Sequence, residues 1–459
     1  MTSSRKGGQL STTCDDRPRR PSVSLFSNCG AGDYGYKSAG FDFVVMAELV
    51  TKRLRVAKLN HPGTTTVAGD LRITWPSVVD EYQRCSDGEE PWLLSACPPC
   101  QGMSSANNQR GKGDDIDAGA RDPRNLLVLP IIEVATRLKP RAVVVENVPA
   151  FLTRRVPHPD SGEATSAASL LVEMLEEQYA VFPLLCDLAH YGVPQRRQRT
   201  FLTFIRRDVP GLSALLTQRR APYPRPTHDP TQGGEQPITV GAYLDALGLP
   251  SLDAGCRSSA RSGNPLHAIP VWSQQHYEMV NAIPRGSGSS AWKNDVCSSC
   301  GSVDVEDMDA CCPECQGPLL RPIVQEADGK YRLVRGFRAS SYRRMAPDLP
   351  APVVTTANGT LGSATTIHPF ENRVLSVLEC CHLQTIPSSF RWTSDDAWPL
   401  ELHVIRRMVG EAVPPRFTEL HGLAIRGVLE HSWRLAPIST FDARCERARE
   451  KIGSHMSFA

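Results

Sequence analysis

The sequence has no uninterrupted apolar run near the roughly 18 residues that a bilayer crossing needs, which argues against a membrane protein. No apolar core follows its polar start, MTSSRKGGQLSTTCDDRPRR, so nothing points to secretion. Net charge is nearly absent: 51 Lys and Arg against 49 Asp and Glu leave +2, so the chain as a whole is no polyelectrolyte. Internal repeats are also lacking, which removes solenoids and propellers. What is present fits a globular chain. Hydrophobic residues make up 41% and are joined by 34 Gly, enough for a large core, and 459 residues allow two or three domains. The 37 prolines suggest long ordered loops. The 15 cysteines are odd in number and lack a secretion signal, so they read as reduced thiols, metal ligands or a nucleophile. Charge is local: residues 195–226 hold eight Arg and one acid, and 331–347 hold five Arg and none. Such segments suit a polyanion held in a groove, although solvated loops fit as well on charge alone.

Residues 1–20 read as a disordered basic tail. From there to 208, strand and helix signals alternate: SVSLF (22–26), FDFVVMAEL (41–49), PWLLSAC (91–97), RAVVVEN (141–147) and RTFLTFIRR (199–207) as strands, 125–138 and 167–179 as helices. The pattern predicts an α/β fold, a mainly parallel sheet with helices on both faces. Residues 209–270 hold nine Pro and little periodicity, and 286–320 are Gly/Ser-rich and then Cys-rich. Regular patterning resumes near 372 with NRVLSVLECCHLQ and HVIRRMVGEAV.

Three strand ends carry chemistry. Leu25-Phe26-Ser27-Asn28-Cys29-Gly30-Ala31-Gly32 is a turn of small residues after the first strand, where a ligand can approach the backbone. Glu48 ends the next strand, placed to accept from two ribose hydroxyls, and Asp70, followed by Leu71, can accept an adenine amino hydrogen. Cys100 in Pro98-Pro99-Cys100-Gln101-Gly102 lies past a strand's carboxyl end, a position for a nucleophile. Glu146 in Glu146-Asn147-Val148 ends the following strand, a candidate proton donor beside that thiol.

In the order LFSNCGAG, PPCQG, ENV, QRRQR, NRVLSVLECCHLQ and GEAVPP, these segments resemble the DNA cytosine-5 methyltransferase family, from Phe26 to Val413. The resemblance implies a Rossmann-like catalytic domain binding S-adenosylmethionine over 21–208, completed by 371–450. It also implies a smaller, loop-rich target recognition domain over 209–370, with 451–459 as a tail. It implies a flipped cytosine attacked at carbon 6 by Cys100 and held at ring nitrogen 3 by Glu146, then methylated at carbon 5. Of Gln195-Arg196-Arg197-Gln198-Arg199, Arg199 is expected on the base at oxygen 2 and Arg197 holding the site. Cofactor contacts are expected at Phe26, Asn28, Cys29, Gly30, Glu48, Asp70, Leu71, Glu411 and Ala412, and DNA contacts at Gln101, Arg338, Arg343 and Arg344. Thr355-Thr356-Ala357-Asn358-Gly359 is a candidate minor-groove loop. The expected partner is double-stranded DNA, met by a monomer in a prokaryotic cytoplasm at the nucleoid, with any cognate restriction endonuclease acting separately.

Cys297-x2-Cys300-x11-Cys312-x2-Cys315 has the spacing of a structural zinc ribbon (297–315), with Cys311 competing for the third place. Two residues depart from the family pattern. Asn28 replaces a turn glycine, and Glu411 replaces an Asn; Glu411 is expected to face the cofactor's ammonium or to pair with Arg406 or Arg407. Cys97, three residues before Cys100, is expected to be dispensable. An RNA methyltransferase and an inactive DNA-binding regulator of the same fold remain open at this point. A nicotinamide dehydrogenase would leave PPCQG and ENV unexplained.

Overall fold

The β-branched runs do form strands. The computed structural model describes residues 19–99, 123–335, 340–393, 401–432 and 438–453. In chain order, β1 (Pro21–Leu25), α1 (Ala31–Ser38), β2 (Asp42–Glu48), α2 (Thr51–Asn60), β3 (Thr65–Ala68), α3 (Leu71–Cys85), β4 (Leu93–Ala96), α4 (Leu129–Leu138) and β5 (Ala142–Asn147) alternate. A hairpin of β6 (Arg155–Pro157) and β7 (Ala164–Ser166) follows, then α5 (Ala167–Leu175), β8 (Tyr179–Asp187) and β9 (Gln198–Arg206). The seven-stranded sheet has the order β3-β2-β1-β4-β5-β9-β8, and only β9 runs against the others. Residues of β1 and β5 are buried throughout, as strands covered on both faces must be.

Two strands escape the sequence pattern. β3 has only four residues, and β8, YAVFPLLCD, contains Pro183. Both are edge strands, where a missing N–H donor is tolerated. The helix expected over 125–138 begins as a 3₁₀ turn, and α4 starts at Leu129, so Pro130 stands in its first turn where its N–H is not needed.

The chain direction reverses across the sheet between β1 and β4. In such sheets the crevice at the strands' carboxyl ends is where ligands bind. The C-terminal helices return to this sheet. After α6 (Pro210–Thr217) and β10 (Arg220–Pro224) come α7 (Val240–Ala246) and α8 (Gln274–Asn281), then the hairpin of β11 (Ile323–Gln325) and β12 (Tyr331–Leu333). α9 (Val377–Leu383), α10 (Leu402–Glu411), α11 (Pro415–Leu429), β13 (Ile438–Thr440) and α12 (Ala443–Ile452) complete the described chain. α11 lies on α1 so closely that a Cβ at Gly35 would sit 2.1 Å from the Pro415 carbonyl oxygen. β13 pairs with β10, and Arg20 Nε donates to Glu430 Oε1 at 2.8 Å. No helix among the described residues is long and apolar enough to cross a membrane.

Residues between α7 and α9 build small separate cores, one around Met279, Val280, Ile283 and Ile367. Arg344 is their polar centre. It is fully buried, and its guanidinium donates to the carbonyls of Val280, Ile283, His368 and Glu371 and to Asn372 Oδ1. Its assignment to DNA is therefore corrected: a guanidinium spent on five buried acceptors has no donor left for a phosphate. In the loop 355–359 the same holds for Asn358 alone, while Thr356 is exposed. Asn358 is buried against α10, donating to the Arg406 carbonyl and accepting from Arg406 Nη1 at 2.7 Å.

Candidate active site

A pocket of about 480 Å³ opens at the carboxyl ends of β1 and β4. Phe26, Asn28, Cys97, Glu146, Glu411 and Ala412 line it, so three separate sequence motifs meet there with the end of β4. The turn from β1 into α1 shapes its wall. Phe26, Asn28 and Gly30 all have positive φ (55°, 50° and 74°), which lets the chain reverse sharply before α1. Asn tolerates this conformation better than most side chains, so its replacement of a glycine costs little geometry. Asn28 also adds ties: its N–H donates to Glu48 Oε2 and its Nδ2 to the Met408 carbonyl, each at 3.0 Å. Its Oδ1 is buried without a hydrogen-bond partner. A Cβ at Gly30 would press the His61 ring at 3.0 Å.

Of the other expected cofactor residues, Glu48 is buried with its two oxygens accepting the N–H groups of Asn28 and Val50 at 3.0 Å. Each oxygen keeps a further lone pair for a hydroxyl donor. Asp70 caps α3 and is bridged by Arg72, which holds its carboxyl below the usual range. Leu71 and Cys29 are buried in the cores on either side, and burial pushes the Cys29 thiol up to about 12. Glu48, Asp70, Leu71, Cys29 and Gly30 are not among the residues lining the pocket. Glu411 does line it, but its partner is Arg53, whose Nη2 lies 2.6 Å from Oε2. The ion pair is thus with Arg53 and not with Arg406, which points inward to Asn358 and the Leu375 carbonyl; Arg407 attracts Glu411 only through space. Burial raises the Glu411 carboxyl and Arg53 opposes that rise.

Glu146 is the best-defined group in the site. It ends β5, is buried, and receives Arg199 Nε on Oε1 at 2.8 Å. Register explains the pair: antiparallel β9 sets Phe201 opposite Glu146 and runs Arg199 past the end of β5. Cys97 Sγ donates to Glu146 Oε2 at 2.7 Å. Arg197 is not at the base position. Its Nη1 donates to the Val354 carbonyl, and its Nη2 to those of Gly410 and Ala412. It is a positioning residue, not a group at the reacting base: it ties Val354 and the α10 terminus to the segment that leads into β9. Gln195 does the same through Leu383, Gln384 and the Val354 N–H. Cys100, Gln101 and Arg338 lie outside the described residues. Arg343 donates to the Gly288 carbonyl at 2.7 Å.

Asp33 and Arg53 escaped the sequence reading, and Cys97 entered it only as a dispensable neighbour of Cys100. Asp33 lies in the first turn of α1, lines the pocket, and accepts from Ser24 Oγ at 2.8 Å; burial pushes its carboxyl up to about 7. Its signal was an acid three residues past the turn glycine.

The sulfurs of Cys297, Cys300, Cys312 and Cys315 all lie within 4.8 Å of one another, with Cys297–Cys315 and Cys300–Cys312 at 3.6 Å. Four sulfurs at about 2.3 Å from a tetrahedral zinc would be about 3.8 Å apart, so the cluster fits that ion. Cys312, not Cys311, completes the set.

A turn of positive-φ residues feeds α1 at the sheet's switch point, where open α/β sheets bind their ligands, and the buried carboxylate of the Glu146–Arg199 pair lines the same pocket. The chain belongs to the C-5 cytosine-specific DNA methylase family, whose model matches residues 21–425. It is a DNA (cytosine-5-)-methyltransferase, and the family implies S-adenosylmethionine as methyl donor. It is 29% identical over 407 residues to the Type II methyltransferase M1.HgaI of Avibacterium volantium, covering 86% of this chain and 95% of that protein. To M.DdeI of Desulfomicrobium norvegicum it is 23% identical, covering 86% and 85%. The fold matches a solved structure assigned as a prophage-encoded DNA modification methyltransferase (E. coli), with TM-score 0.56, 18% identity, and coverage of 89% of this chain and 99% of that one.

Proposed function

We propose that this methyltransferase is the modification enzyme of a restriction–modification system, acting as a monomer on double-stranded DNA in a prokaryotic cytoplasm, at the nucleoid. A cognate endonuclease, where present, acts separately. The observation that carries the site assignment is Glu146, buried at the mouth of the pocket and held by Arg199. The Type II relatives support the biological setting.

S-adenosylmethionine, when bound, supplies an electrophilic methyl group on a sulfonium. Phe26, Asn28, Glu48, Glu411 and Ala412 would hold it; the buried, unpaired Asn28 Oδ1 and the spare lone pairs of Glu48 suit a ligand rich in N–H and O–H donors. Cytosine carbon 5 is a poor nucleophile, so Cys100, as thiolate, adds to carbon 6 and makes carbon 5 enamine-like. Glu146, carrying a proton, gives it to ring nitrogen 3 and so neutralises the charge which that addition creates. Arg199 fixes Glu146 and faces oxygen 2 of the base. Carbon 5 then takes the methyl and gives up its proton to water, Glu146 recovers the proton from nitrogen 3, and Cys100 leaves as thiolate, restoring the aromatic ring. The four-cysteine cluster holds a structural zinc; its closed all-thiolate shell leaves no position for substrate. Arg343 and Arg338 contact DNA phosphates.

The test uses a duplex carrying 5-fluorocytosine, which has no proton to lose at carbon 5. The wild type with cofactor forms a denaturant-resistant adduct. A Cys100→Ala variant that still methylates overturns the assignment. Bisulfite sequencing of DNA and RNA from cells carrying the gene decides the substrate, and methylation confined to RNA overturns the DNA reading.

A further inference from the structure

Cys97 stands at the end of β4, and its thiol is on the carboxylate that the reaction uses. Glu146 has two oxygens with two different donors. Arg199 Nε takes Oε1 at 2.8 Å, and Cys97 Sγ takes Oε2 at 2.7 Å. Parallel pairing of β4 with β5 brings them together: Ala96 is the register partner of Val145, so the next residue on each strand is Cys97 and Glu146. The contact therefore follows from strand alignment and does not depend on a loop. Both residues line the same pocket, so the pair faces the space where a ligand enters.

We propose that Cys97 is a positioning residue for Glu146. With Oε1 fixed by Arg199, Oε2 is the oxygen left for the ring edge of the flipped base. A carboxylate anchored at one oxygen can still swing about its terminal torsion, which is broad and nearly two-fold. The thiol is a weak donor. It holds Oε2 through one lone pair and leaves the ring-edge side of that oxygen to the base, so the bond persists while the base is bound. Methionine or leucine here would leave Oε2 without this donor, and lysine would set a full positive charge in competition with the base. Around the carboxylate, the facing charged or titratable groups are Arg199 on β9, Cys97 on β4, Tyr36 on α1 and Cys186 on β8. Only the first two touch it among the contacts described here.

The proposal rests on Glu146 acting on the base, and the experiment separates the two. Glu146→Gln abolishes transfer if that reading is right, whatever Cys97 does; an active Glu146→Gln removes both. Single-turnover transfer rates and dissociation constants for the target duplex and cofactor are then measured for Cys97→Ala and Cys97→Ser. Cys97→Ala is expected to slow transfer about tenfold, the effect of one modest hydrogen bond, with both dissociation constants unchanged. Cys97→Ser, which keeps a donor, restores the rate to within about twofold of wild type. Equal slowing in both variants means that packing, not the bond, matters and overturns the proposal, as does a wild-type rate in Cys97→Ala. A second readout needs no turnover. The Cys97 S–H stretch, isolated as the infrared difference between wild type and Cys97→Ala, is expected at the lowered frequency of a bonded thiol. It should stay lowered when the target duplex binds. A stretch at the free-thiol frequency in the empty enzyme also overturns the assignment.

Discussion

His421 lies fully buried among aromatic rings, bonded on one side to Tyr36 Oη at 3.0 Å and on the other to Thr203 Oγ1 at 3.1 Å. Burial pushes its imidazole down from 6.5 to about 3. The unfolded chain therefore binds a proton there below about 6.5, while the folded chain binds one only near 3. Folding stability contributed by this group is present above the unfolded value and falls as pH drops through that window. Denaturant unfolding followed by tryptophan fluorescence should show this slope, and His421→Phe should flatten it. That variant also leaves the buried Tyr36 hydroxyl without its partner, at a cost of about 1–3 kcal/mol at neutral pH. Glu411 and Arg53 permit a second residue-scale test, a double-mutant cycle on cofactor affinity. Their contact at 2.6 Å predicts that Glu411→Gln and Arg53→Ala are not additive, with a coupling of about 0.5–3 kcal/mol by calorimetry. Additive losses would mean that Glu411 meets the cofactor directly. Asn28 and Glu411 were both legible as departures from a pattern, yet neither partner was: Met408 and Arg53 are remote in sequence or on another element.

Helix packing sets the next scale. Gly35 lets α1 seat on the start of α11, where a Cβ would overlap the Pro415 carbonyl oxygen and Thr418 Oγ1, both at 2.1 Å. Gly35→Ala must push the helices apart, and overpacking of this kind costs about 1–3 kcal/mol or more. A lower midpoint in thermal melts, with the same spectrum at low temperature, is the expected result. The cysteine cluster is an element of its own, with a small core of Cys297, Cys312 and Leu319. Closed thiolate sites supply folding free energy. Cys297→Ser or Cys315→Ser should therefore make residues 295–320 sensitive to protease while cofactor affinity survives. Protein purified without chelator and found free of zinc would refute the metal assignment.

At the scale of the molecule, the chain's two ends close one unit. β13 pairs with β10, α11 covers α1, and Arg197, just before β9, holds the carbonyls of Gly410 and Ala412. A chain ended after residue 400 should lose cofactor binding and cooperative unfolding together, although the glycine turn, ENV and QRRQR are all retained. Retention of cofactor affinity in that truncation would show that the C-terminal helices are accessory. Separating the halves and mixing them should restore binding if the interface alone is sufficient.

The sequence by itself determined what local chemistry can carry: the buried strands, the sharp turn at Asn28 and Gly30, the carboxylate at Glu146, and the knuckle spacing of Cys297, Cys300, Cys312 and Cys315. These depend on side-chain type, short spacing and β-branching, which act within a few residues. Only the tertiary structure decided which arginines are available. Arg197, Arg344 and Arg406 are expected from sequence to hold the site, to contact DNA and to pair with Glu411, but each is buried with its guanidinium on backbone carbonyls or an Asn side chain. A guanidinium leaves water only where several acceptors converge on it, and that convergence comes from segments far apart in the chain. The same holds for Cys97: three residues before a candidate nucleophile it looked dispensable, until the register of β4 against β5 set its thiol on Glu146.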